Sequence, residues 1–179
     1  LRRLKVGMRV LLAGSDHAFI RHMAEMLPEN VRKLVMVHSA QELEAHLSQN
    51  MDIALISLLE NKSRDAKQVY APQYSWVACI GTIKKRQPLT QVVCLVPENN
   101  IALSIAVMKN GAFAEINPPF SRGEINKNIE AAYREKARQR KQNKLRANNR
   151  GASIYWMSRP SQRIISAQKV LRKKKKSTS

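Results

Sequence analysis

The chain is short of acid. Of its 179 residues only 13 are Asp or Glu, against 32 Lys and Arg, for a formal net charge of +19. The shortage is local, because residues 134–179 hold one acid, Glu135, and half of the basic residues. No apolar run approaches the ~20 residues of a membrane span. The arginines and lysine near the start are not followed by the apolar stretch that a secretory signal requires. Only two cysteines occur, Cys79 and Cys94, each in an apolar segment. That excludes a disulfide framework and points to buried thiols in a reducing, cytoplasmic setting. His17, His22, His38 and His46 show no metal spacing, and solvent-facing or capping roles are expected of them. No internal repeat is present, and low complexity is confined to the end, at Arg172 and Lys173–Lys176.

What is present suits one well-buried domain plus an appendage. Short aliphatic runs at Val10–Ala13, Leu34–Val37, Ile53–Ser57, Val92–Val96 and Ala114–Asn117 read as strands, and the Ile53 run suits a strand buried on both faces. Between them lie helical patterns at Asp16–Leu27, after Ser39, at Trp76–Lys85 and at Ile101–Asn110, with Gly111 as a C-cap. Ser39-Ala-Gln-Glu42 and Ser121-Arg-Gly-Glu124 are capping boxes, in which hydroxyl and carboxylate satisfy free backbone donors reciprocally. The last helix has the composition to run well past Arg134, and Asn148, Asn149 and Gly151 read as its stop. Alternating β and α units with these connections predict an α/β fold: a flavodoxin-like, doubly wound, five-stranded parallel sheet with right-handed crossovers. Residues 1–7 read as an upstream extension or a trimmed end, since Met8-Arg-Val-Leu-Leu is a natural opening for a first strand.

In such sheets ligands bind at the carboxyl ends of the strands. Those ends carry Gly14 and Ser15, then Ser57, then Val96, then Pro118, with no carboxylate and no lysine among them. Over residues 8–138 the pattern resembles the receiver (CheY-like) domain of bacterial response regulators. The resemblance rests on Val10-Leu-Leu-Ala13, Asp52-Ile-Ala-Leu-Ile-Ser57, Val92-Val-Cys-Leu-Val96, Ala106-Val-Met-Lys-Asn-Gly-Ala112 and Asn117-Pro-Pro-Phe120, all in register. It implies an acidic metal-binding pair at Gly14 and Ser15, a phospho-accepting aspartate at Ser57, a hydroxyl at Val96 and a lysine at Pro118. All five are replaced.

The chemistry implied by the resemblance is therefore not expected. Magnesium needs hard oxygen ligands, usually carboxylates, and a serine hydroxyl is a poor acceptor without an adjacent base. Asp16, one position late, is expected to start the first helix and favour its positive end. The expectation is a degenerate pseudo-receiver with no cofactor, no metal and no enzymatic activity.

Between Ser57 and Val92 the chain is about ten residues longer than the resemblance implies. The extra length, over residues 58–75, carries Arg64, Lys67, Tyr70 and Tyr74 and leads into Trp76. It reads either as a remodelled lid or partner surface, or as a tolerated insertion in which Trp76 plugs a helix end.

Residues 139–179 form a basic tail. With Arg138 just before it, the tail offers Arg140, Lys141, Lys144, Arg146, Arg150, Arg159, Arg163, Arg172, Lys173, Lys174, Lys175 and Lys176 as phosphate contacts to DNA or RNA. Arg134 and Lys136 precede them in the same run. Ile154-Tyr155-Trp156-Met157 is an apolar island that stacks on bases, inserts at a membrane interface, or folds back onto the domain. Ser161–Leu171 reads as a short amphipathic helix. The expected role is regulatory, through a protein partner or homodimer contact on the fourth-helix to fifth-helix face implied by the resemblance, with the tail on nucleic acid. The alternative is an adaptor or structural subunit whose tail grips acidic protein or an anionic membrane. A bare solubilising role for the tail stays open.

Overall fold

The computed structural model describes residues 7–59 and 72–157. Five strands, β1 (Met8–Ala13), β2 (Val31–Val37), β3 (Ile53–Ser57), β4 (Gln91–Leu95) and β5 (Ala114–Ile116), form one parallel sheet in the order β2-β1-β3-β4-β5. Helices α1 (His17–Met26), α2 (Ala40–His46), α3 (Pro72–Arg86) and α4 (Ile101–Lys109) connect the strands, and α5 (Arg122–Met157) follows β5. This is the doubly wound α/β fold expected from the alternation of aliphatic runs and amphipathic segments.

Two apolar layers explain why the central runs are aliphatic at every position. Leu11, Ala13, Ala54, Ile56, Val92 and Cys94 face Leu43 of α2, Trp76, Ile80 and Ile83 of α3, and Leu103 and Val107 of α4. Val10, Leu12, Ile53, Leu55, Val93 and Leu95 face Ile20 and Met23 of α1 and Ile125, Ile129 and Ala132 of α5. Successive residues point to opposite faces, so a strand covered on both sides has no polar register. Cys79 and Cys94 are buried free thiols in the first layer.

The ends of elements follow local chemistry. Asp16 caps α1, its Oδ1 accepting from the amides of Ala18 and Phe19, both at 3.0 Å. Ser39 caps α2 and Ser121 caps α5 through the amides of Glu42 and Glu124. The Glu42 carboxylate accepts from the His38 amide at 2.6 Å, one residue before the expected partner. At the end of α4, Gly111 takes φ +97°, its amide bonds Met108 O, and the Ala112 amide bonds Val107 O. That is a Schellman closure, with Asn110 as the cap residue and the glycine one position beyond it.

Three expectations are corrected. β2 begins at Val31 rather than Leu34, because an edge strand tolerates the exposed Arg32 and Lys33. α3 begins at Pro72, a residue whose fixed φ suits the first helical position. α5 does not stop at Asn148-Asn149-Gly151 but continues to Met157. Asn and Gly cost only about 0.7–1 kcal/mol each inside a helix, and the Arg, Lys, Gln, Leu and Ala around them are good helix formers. By compactness the chain divides into Leu1–Gln139 and Arg140–Ser179.

At the amino ends of the strands a polar cluster ties α5 to the sheet. Lys136 Nζ lies 2.9 Å from Asp52 Oδ1 and donates to Met51 O at 2.6 Å. Asp52 Oδ2 accepts from the Arg9 amide at 2.8 Å and from its Nε at 3.4 Å. Burial alone would raise the Asp52 pKa, but hydrogen bonds from Lys136 and Arg9 outweigh it and hold the carboxyl below its usual range. Gln87 and Thr90 satisfy the adjacent backbone of Leu47, Gln49 and Met51.

Candidate functional site

The carboxyl edge of the sheet is closed by its own side chains. Gly14 follows β1 and is pinned there by its amide, which bonds Val37 O at 3.1 Å. A Cβ on Gly14 would stand 2.7 Å from Ile20 Cδ1 and 2.9 Å from Ser57 Cβ, so only glycine fits. Ser15 comes next, and its Oγ accepts from Trp76 Nε1 at 3.0 Å. Trp76 reaches it from the first turns of α3 and is only 3% exposed. Ser57 is buried, its Oγ accepting from the Leu59 amide at 3.4 Å. Val96 is fully buried beside it, and its carbonyl accepts from Asn117 Nδ2 at 3.4 Å. Pro118 follows the exposed Asn117 and is joined to Pro119 by a cis peptide.

The rim around these residues is largely aromatic. The rings of His17 and His38 stack at 3.7 Å, and His38 Nδ1 lies 3.3 Å from Gly14 O, a distance that suits an Nδ1–H donor. The sequence assigns His38 to solvent or a helix cap: its amide does join the α2 cap, while its ring, stacked against His17, is partly buried. Phe19 and Phe120 meet at 5.7 Å over the second layer. Asp16, the nearest surviving carboxylate in sequence, is engaged in capping α1. Among the described residues no group of three or more His, Cys, Asp or Glu is placed to hold a metal ion.

The structure thus brings Gly14 and Ser57 into contact and couples Ser15 to Trp76. The Ser15–Trp76 bond joins residues 61 apart. No local pattern reports it, although a buried tryptophan indole usually finds a partner. The loop residues Glu60, Arg64, Lys67 and Tyr70 lie outside the described residues.

The basic segment is the second candidate site. Arg140, Lys141, Lys144 and Arg146 lie on α5 and are exposed. Arg138 is exposed too, but its guanidinium forks onto Glu135 with both N–O distances at 2.7 Å, which lowers the Glu135 pKa. Lys136 is withdrawn from the run by its bond to Asp52. Arg150, Tyr155 and Trp156 fall on the last turns of α5. Arg159, Arg163, Arg172, Lys173, Lys174, Lys175 and Lys176, and the helix expected at Ser161–Leu171, lie outside the described residues. No helix among the described residues is long and apolar enough to cross a membrane.

A five-stranded parallel sheet in this order, with two helices on one face and three on the other, is the fold of response-regulator receiver domains. Solved structures agree. A CheY-like receiver domain from Methanospirillum hungatei JF-1 superposes with a TM-score of 0.60 at 15% identity, covering 74% of this chain and 98% of that one. The signal receiver domain of an HD domain-containing protein from Pseudomonas fluorescens Pf-5 gives 0.62 at 15% identity, covering 79% and 97%. NtrX from Brucella abortus, in a complex with ATP, gives 0.63 at 17% identity over 78% of this chain. The chain spans only 29% of the length of NtrX. No protein-family model and no curated protein matches the sequence.

Proposed function

We propose that this chain is a receiver-like regulatory protein that phosphotransfer does not switch, and that its basic segment holds nucleic acid through phosphate contacts. The observation that carries the first half is the Trp76–Ser15 bond. It fills, with a neutral buried side chain, the place where the resemblance puts a metal-binding carboxylate. Ser57 and Val96 beside it offer neither a ligand for magnesium nor an exposed acceptor. In this reading the protein is not an enzyme, takes no cofactor, and acts in the cytoplasm as a pseudo-receiver domain, residues 8–138, with a tail.

Signalling then passes through surfaces rather than chemistry. On α4, Ile101, Ile105 and Met108 recur at i, i+4 and i+7 and are 73%, 49% and 47% exposed. An apolar stripe of this kind on a helix already buried on its other side suits a protein partner or a second copy of the chain. The same stripe also favours a second reading, an adaptor subunit whose tail grips acidic protein or an anionic membrane.

Fluorescence anisotropy with random DNA and RNA oligomers across a salt series separates the two. Six phosphate contacts give a log–log salt slope of about −5 on duplex DNA, and replacing Arg140, Lys141, Lys144 and Arg146 by Gln in the full chain reduces it by about 3–4. Weak binding, equal in both proteins, overturns the nucleic-acid reading and leaves the adaptor.

A further inference from the structure

The segment Arg140–Asn149 has an organisation that phosphate gripping does not require. All ten residues are helical and exposed, and none is acidic. A helix that merely faces water gains from mixed signs at i, i+4. Here Arg140 and Lys144 stand at i, i+4 and Lys141 and Lys144 at i, i+3, so like charges repel unless a polyanion lies beside them. The remaining positions hold amides or apolar side chains, and Asn143, Ala147 and Asn148 are spread over other faces than the one considered next. Gln142, Leu145 and Asn149 recur at i, i+3 and i+7 and so share one stripe. Lys141 flanks that stripe on one side and Arg146 on the other, while Arg140 and Lys144 stand on the opposite face.

A stripe that can form hydrogen bonds between two cationic flanks matches a nucleic-acid groove, with base edges at the floor and a phosphate backbone on each wall. A helix with its side chains is about 10–12 Å across, and the major groove of B-form DNA is about 12 Å wide. Ten residues of helix span about 15 Å, enough to follow the groove past several base pairs. The major groove of A-form RNA is deep and narrow, and does not admit side chains to its base edges. Carboxamides are the side chains that pair bidentately with adenine N6 and N7, and an aliphatic group complements the thymine methyl.

Resting on the nucleic-acid reading above, we infer that Arg140–Asn149 enters the major groove of duplex DNA. Gln142 and Asn149 face base edges there, Leu145 lies against a thymine methyl, and Lys141 and Arg146 hold the opposing backbones. The protein therefore has a short sequence preference, containing adenine and thymine, on top of its nonspecific affinity.

The test selects binders for the full chain from a randomised duplex DNA library, then measures the enriched duplex, a random duplex and a random RNA duplex by anisotropy. The inference expects an enriched A/T-containing motif. The double variant Gln142→Ala, Asn149→Ala should lose about 10- to 100-fold on that motif and stay close to wild type on random duplex. Both residues are exposed and alanine favours the helix, so circular dichroism should show the fold unchanged. No motif, or equal affinity for duplex RNA, together with tight and salt-steep binding overturns the groove and leaves the phosphate reading intact. No binding to any duplex, nor to random single strands, overturns both.

Discussion

Replacing Asp52 by asparagine removes the charge on which α5 is tied to the sheet. Asp52 and Lys136 side chains are 13% and 14% exposed and 2.9 Å apart. The carboxamide would keep an acceptor for the Arg9 amide but leave the largely buried Lys136 ammonium with Met51 O as its remaining partner. A hydrogen bond to a charged group is worth about 1.5–3 kcal/mol, and stranding one member of a fully buried pair costs about 3–5 kcal/mol. Because each group keeps some solvent contact and the carboxamide retains part of the hydrogen bonding, the loss lies toward the lower figure, about 2 kcal/mol. For a chain of this size that lowers Tm by about 4–8 °C.

The pH dependence gives the second signature. The folded-state pKa of Asp52 lies below its ordinary value, 3.8. Its contribution is therefore complete above that value and is lost as pH falls through the depressed folded one. Thermal unfolding followed by circular dichroism from pH 7 into acid should show the wild type and Asp52→Asn converging at low pH. Lys136→Met on its own should cost a similar amount, and the double variant less than the sum, a coupling of about 1–2 kcal/mol. A neutral-pH loss below about 0.5 kcal/mol, or curves that stay parallel into acid, would refute the claim that this pair fastens α5.

Ser15→Ala should leave Trp76 Nε1 buried without its acceptor, costing about 1–3 kcal/mol in chemical unfolding; in a Trp156→Phe background the Trp76 emission reports the change directly. Acetyl phosphate with magnesium should add no phosphoryl mass to the intact protein, and a stable adduct mapped to Ser57 would sink the proposal that phosphotransfer does not act here. Burial, with Glu44 adding to it, pushes the Cys79 thiol up to about 11, and burial pushes Cys94 higher still. Both should therefore resist a thiol reagent at pH 8 until denaturant is added. Ile105→Asp, on the exposed α4 stripe, should change stability by less than about 0.5 kcal/mol while abolishing any self-association or partner capture seen with the wild type.

The aliphatic runs of β1, β3 and β4 are legible in the chain because strands covered on both faces confine polar residues such as Arg9, Ser57 and Gln91 to their ends. β2 is only half legible, since Arg32 and Lys33 look like a loop until the strand is known to be an edge. Capping residues mark helix starts well, Asp16, Ser39 and Ser121 each bonding the amides their type predicts. The end of α5 is misplaced when Asn and Gly are weighed as stops, because their cost is small beside a long run of helix formers. The composition of the strand ends can be read directly from the chain. What closes them cannot: Trp76 meets Ser15, and His38 meets His17, only after the sheet has brought distant segments together.

The fit around Gly14 has a consequence for what single substitutions can do at the site. A carboxylate introduced there alone would collide with Ile20 and the Cβ of Ser57 before it met any cation. One introduced at Ser15 would face an indole N–H already in place. Each single step toward a metal-binding arrangement therefore first lowers stability and gains no ligand set in return. A metal-binding arrangement would need several simultaneous replacements, including Trp76. Substitutions on the outer helix faces and in the basic segment meet no such constraint, so variants with altered binding are to be sought there rather than at the strand ends.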